Sequence, residues 1–115
     1  MDDMKNHFSV FHTRYGIIET ESPTPLEDES SQYAVCKSQE YVIELTRTTV
    51  EGKPIPTSER EKMLVHEIVH AILNEGAYTD ESNNERLVEW LARNVYDILI
   101  VQDVLRKQCS GDLSR

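Results

Sequence analysis

The strongest constraint in this chain is the stretch Leu64-Val65-His66-Glu67-Ile68-Val69-His70-Ala71-Ile72-Leu73, where two histidines four apart interrupt an otherwise apolar run. From Met63 to Leu73 every residue other than that His-Glu-His set is apolar, the pattern of a helix buried nearly all round. On a helix, residues at i and i+4 stand one above the other on one face. Both imidazoles can therefore reach a single ion at the roughly 2.0–2.1 Å that zinc asks of nitrogen. Glu67 follows the first histidine about 100° further round, close enough to take a proton from a water at that ion. Two histidines and a glutamate in apolar surroundings are costly unless something satisfies them. The alternative to a metal site is a pair of hydrogen-bonded core histidines beside a surface glutamate.

The flanks set the length of this helix and the place of the next. Thr57 or Ser58 is expected to cap it, with Ser58 and Glu61 at capping-box spacing and Glu59 in the first turn, where the helix dipole favours an acid. Gly76 is the expected C′ stop. Only a short loop then fits before a second helix over residues 82–107, which must fold back antiparallel on the first. In such a hairpin His70 lies level with the first two turns of the second helix. A zinc site needs a third protein ligand and a vacant position, and those turns offer Glu85 and Glu89. The apolar positions Leu87, Val88, Leu91, Ala92, Val95, Ile98 and Leu99 cluster on one side, with Glu85 roughly 80° and Glu89 roughly 120° from its centre. Glu85, nearer the buried seam, is therefore the expected ligand, and Glu89 the acceptor that holds a ligating imidazole in the right tautomer. The competing reading is that Ser82-x-x-Glu85 is a capping box, in which Glu85 merely bonds back to the backbone.

Ahead of the helices the pattern is that of strands. Residues 8–20 carry Phe8, Val10, Phe11, Tyr15, Ile17 and Ile18, broken by Gly16, which suggests a strand, a bend and a second extended piece. Residues 21–32, with Pro23, Pro25 and many acids, read as a mobile acidic loop. Residues 33–36 and 41–48 read as two strands joined by a tight turn, the second with Tyr41, Ile43, Leu45 and Arg47 on one face. Pro54 and Pro56 end the ladder. The expected fold is α+β: a small antiparallel sheet of about three strands followed by an antiparallel pair of long helices, in a single domain over residues 1–115. The second helix has apolar residues on more than one face, among them Trp90, Val95, Tyr96, Ile98 and Leu99, which core burial or a homo-oligomer surface would explain. Its tail, residues 108–115, reads as frayed.

Charge and cysteine usage narrow the partners. With 21 Asp+Glu against 12 Lys+Arg, the chain repels phosphate backbones and anionic lipid, so neither nucleic acid nor membrane is expected. Cys36 and Cys109 lack both a disulfide framework and the close spacing of a cysteine zinc site, and are read as reduced thiols. Without a basic and apolar leader or a spanning run, the expected location is cytoplasmic.

His66-Glu67-Ile68-Val69-His70 followed by Glu85-Arg86-Leu87-Val88-Glu89-Trp90-Leu91-Ala92 resembles the gluzincin pattern of zinc metallopeptidases, and more narrowly the small ImmA/IrrE-like (minigluzincin) family of phages, prophages and bacteria. The likeness covers about residues 40 to 100. It implies a zincin-like fold, one zinc ion per chain on His66, His70 and Glu85, Glu67 as catalytic base, Glu89 in support, and a protein or peptide substrate. There is no Gly and third His at metzincin spacing after His70, which excludes that clan, and no Leu-Met-Pro ending to the second helix, so a repressor-cleaving role is not implied. A second electrophile would have to come from Tyr78 or His12, which no spacing argument places; His7 likewise has no assigned role. The alternative is a catalytically inactive module of the same design that holds metal and a partner but cleaves nothing.

Overall fold

The computed structural model describes residues 7–113, with side chains as far as residue 99. Its elements are β1 (His7–Val10), β2 (Thr13–Thr20), β3 (Thr24–Pro25), β4 (Ser31–Gln32), β5 (Ala34–Lys37), β6 (Val42–Thr46), α1 (Thr57–Glu75), α2 (Thr79–Ser82) and α3 (Glu85–Leu113).

Ile43 and Leu45 explain the sheet. Both are buried, and the strand that carries them, β6, takes a central place with β2 on one side and β5 on the other, in the order β1-β2-β6-β5. The sheet is thus four-stranded and mixed, since β6 runs antiparallel to β5 but parallel to β2, with Ile43 level with Ile17. This overturns the expected three-stranded antiparallel sheet, and with it the zincin-like fold. Simple antiparallel succession would leave β5 against β2. The long connection from β2 instead lets β5 pass to the outside, so that the most apolar strand is covered on both edges. One consequence matters for function: β5 becomes an edge strand, next to α1.

Two turns also differ from the sequence reading. The chain bends at Phe11 and His12, both with positive φ in a two-residue hairpin turn closed by Val10 and Thr13, while Gly16 lies inside β2. Tyr41, expected on the core face of its strand, is a left-handed turn residue before β6 and half exposed. The acidic segment is organised too: β3 and β4 pair as a short ribbon, Thr24 with Gln32 and Pro25 with Ser31, closed by left-handed Glu29 and by Asp28, whose carboxylate accepts from Ser30.

α1 is the middle layer. At about 100° per residue, its Ala71 faces the sheet, where Val10 and Tyr15 bury against it, and its Val65 and Val69 face α3. The helix starts after Pro56 with no side-chain cap, so neither Thr57 nor Ser58 caps it. At its other end Tyr78 N–H donates to Leu73 O and Ala77 N–H to Asn74 O, a Schellman arrangement in which the left-handed residue is Ala77 rather than Gly76. At Gly76 a Cβ would come within 3.3 Å of the exposed Tyr78 ring, a contact relieved by a shift of that side chain, and 3.7 Å of Phe11, an ordinary contact.

α3 follows the one-turn α2 and runs past the Lys107 expected as its end, to Leu113. Contacts 70 to 85, 66 to 89 and 62 to 96 run in opposite senses along the two long helices. Val95 and Tyr96 pack on the α1–α3 core, whereas Trp90, Ile98 and Leu99 are exposed. Cys36 is a free thiol, and the Cys109 side chain lies outside those described. Among the described residues no helix is long and apolar enough to cross a membrane.

Candidate metal centre

The helical angle that sends Val65 and Val69 to α3 and Ala71 to the sheet leaves His66 and His70 in the sector between, opening on the groove bounded by α3 and the edge strand β5. Their rings stand 5.1 Å apart, centre to centre. Across the groove, Glu85 at the start of α3 reaches both: one carboxylate oxygen is 3.0 Å from His66 Nε2 and the other 3.3 Å from His70 Nε2. His66, His70 and Glu85 form a group that could hold a metal ion, with ligand atoms all within 4.8 Å of one another. Ligands about 2.0–2.1 Å from a tetrahedral zinc lie about 3.3 Å apart, close to the two imidazole–carboxylate distances.

The outer nitrogen of each imidazole is also engaged. His66 Nδ1 lies 3.2 Å from Glu89 Oε1, and His70 Nδ1 lies 3.0 Å from Ser82 Oγ. With Nδ1–H donating on both rings, both Nε2 atoms are free to turn towards one point. Nitrogen donors with a single carboxylate suit zinc and its transition-metal neighbours better than calcium or magnesium, which prefer oxygen alone. Glu85 is largely exposed, so the cluster keeps a side open to solvent, as a three-ligand catalytic site requires. The donor set fits a zinc ion.

Glu67 lies against β5 on the same groove. Only 9 % exposed, it takes a hydrogen bond from the Cys36 backbone N–H. Burial raises its carboxyl pKa, and Glu85 adds to the effect, against the pull of His70, His66 and that N–H. Burial pulls the His66 imidazolium down, yet hydrogen bonds to Glu89 and Glu85 outweigh it and leave its pKa above the ordinary imidazole value. Three carboxylates around two imidazoles amount to an excess of negative charge, which a divalent cation would neutralise.

Two clefts adjoin at His66 and Glu67. On one side a cleft of about 710 Å³ is lined by Tyr33, Ala34, Met63, Ala92 and Tyr96 together with several charged residues; on the other a smaller one of about 390 Å³ is lined by Cys36, Asn74, Ser82 and Asn83. His66, Glu67 and Ala34 line both. Tyr78 and His12 line neither: Tyr78 packs on Gly76 past the end of α1, and His12 occupies the β1–β2 turn. His7 lies in β1 and is likewise absent from both linings.

The capping-box alternative for Glu85 is not what forms. Asn84 caps α3, its side-chain oxygen accepting from Leu87 N–H, while Ser82 belongs to α2 and points at His70. Ser82 is the site residue that sequence reasoning missed. Its signal, a hydroxyl in the segment that must pass the second histidine, was present but was absorbed by the capping pattern. In comparisons with family models, with characterised proteins and with solved structures, the chain matches none.

Proposed function

We propose that this protein is a zinc-dependent endopeptidase, with the ion on His66, His70 and Glu85 and with Glu67 as general base. The observation that carries the reading is the pairing of an open three-ligand cluster with a buried acid of raised pKa on the same groove. A zinc ion held by these ligands would supply Lewis acidity, lowering the pKa of a water and polarising a carbonyl. Glu67 accepts the proton of the attacking water and delivers it to the leaving amine nitrogen. A base whose pKa burial has raised above the ordinary glutamate range holds the proton more firmly between the two transfers. Glu89 and Ser82 keep the two imidazoles oriented while this happens.

An extended peptide is the substrate class that suits the groove. Tyr33 O accepts from Thr46 N–H, so odd-numbered residues of β5 turn their backbone groups to β6 and the even-numbered Ala34 and Cys36 turn theirs outward. Cys36 N–H is committed to Glu67, and Ala34 is left to pair with an incoming strand. A second reading, a metal-holding module that cleaves nothing, is favoured by one observation: neither Tyr78 nor His12 lines the groove as a second electrophile. The test is protein purified without chelators, assayed for metal content and against a peptide library. One zinc per chain with cleavage supports the peptidase; one zinc with no peptide cut supports the module.

A further inference from the structure

We infer that Ser82 is a positioning residue that presents His70 Nε2 to the ion, an inference that rests on the zinc reading of the cluster. Ser82 is 3 % exposed, and a hydroxyl that deep is costly unless it is bonded. Its partners are both on His70: Nδ1 at 3.0 Å and the backbone carbonyl at 3.5 Å. With the hydroxyl hydrogen aimed at that carbonyl, the oxygen lone pairs face Nδ1–H. The hydrogen of the neutral ring is thereby placed on Nδ1, and Nε2 keeps its lone pair for an ion shared with Glu85. The turn between the long helices exists in the form that makes this contact. Left-handed Ala77 ends α1, and the single turn of α2, closed by Ser82 N–H donating to Tyr78 O, swings the hydroxyl back over the second histidine.

Helix capping does not account for Ser82, because Asn84 performs that task for α3. The two histidines are thus held by different chemistry: His66 by the carboxylate of Glu89, and His70 by an uncharged hydroxyl. Groups in this relation to a ligating histidine typically change metal affinity about 10- to 100-fold when removed.

The experiment is zinc titration by competition with a chromogenic chelator on the full chain, for the wild type, Ser82→Ala, Ser82→Thr and Glu89→Ala. It is accompanied by NMR of slowly exchanging imidazole N–H protons in the zinc-loaded proteins. The wild type should show two such signals. Ser82→Ala should lose the His70 signal alone and weaken zinc about 10- to 100-fold. Glu89→Ala should lose the His66 signal alone, and Ser82→Thr, which keeps the hydroxyl, should retain both. Unchanged affinity with both signals intact in Ser82→Ala would overturn the role of Ser82 and leave the zinc site standing. A wild type that takes up no zinc would overturn both.

Discussion

α1 and α3 meet along two lines that are one residue apart. On the first, Val65 and Val69 pack against Val88 and Ala92, all buried. On the second, His66 and His70 face Glu85 and Glu89. Helix pair and spacing are the same, and the chemistry is opposite. Burial of a valine side chain is worth about 1.5–3 kcal/mol whatever the pH or ion content, so the dry line holds the helices together unconditionally. The polar line collects acids around imidazoles and is satisfied only by protons or by a cation. The difference teaches that stability and metal affinity can be separated in this fold, because the first line supports the strained electrostatics of the second.

That separation can be broken or sharpened by experiment. The largest effect should come from Glu67→Gln, which touches neither line: kcat/KM on a cleaved peptide should fall by about 10²–10⁴-fold with zinc content unchanged. Loss of zinc together with activity would place Glu67 among the groups that hold the ion. Next, zinc at about a hundred times its Kd should stabilise the wild type by about 2.7 kcal/mol in urea unfolding. His70→Ala should remove that gain without unfolding the metal-free protein. Val88→Ala should cost about 2 kcal/mol, with zinc or without it. If it also abolished the zinc gain, the two lines would be one unit.

The smallest effect is on pH dependence. Burial leads the causes that raise the Glu67 carboxyl pKa, so the folded, metal-free protein holds that proton to higher pH than the unfolded chain does. Its stability should therefore fall as pH rises from the ordinary glutamate range through the raised value. His66 acts in the same direction at higher pH: its contribution is full below the ordinary imidazole pKa and is lost as pH rises through the raised one. Urea midpoints measured in chelator should show Glu67→Gln gaining on the wild type across the first window only. Parallel curves would mean that Glu67 titrates alike in both states.

How much of this was legible beforehand depends on whether the information is local. The strand patterns in residues 8–20 and 41–48 say which residues can share a face, because side chains alternate, but they do not rank strands across a sheet. That β6 would take the centre and β5 the edge follows only from competition among all the strands for cover. The left-handed turns were invisible for a related reason. Phe11, Tyr41 and Ala77 are not residues that favour positive φ, and they adopt it because the elements on either side are already packed. The same holds for α2, four residues long and with no propensity of its own to announce it.

By itself, the chain determined that His66 and His70 stand a turn apart with Glu67 beside them, since helix geometry follows from backbone stereochemistry and needs no partner. It also determined that acids would be available early in the second helix. Only the tertiary structure decided that Glu85 reaches both imidazoles, that Ser82 serves His70 and not a helix end, and that Glu67 is buried under an edge strand. Those outcomes depend on how the helix hairpin and the sheet close around α1, which is a property of packing between residues far apart in the chain.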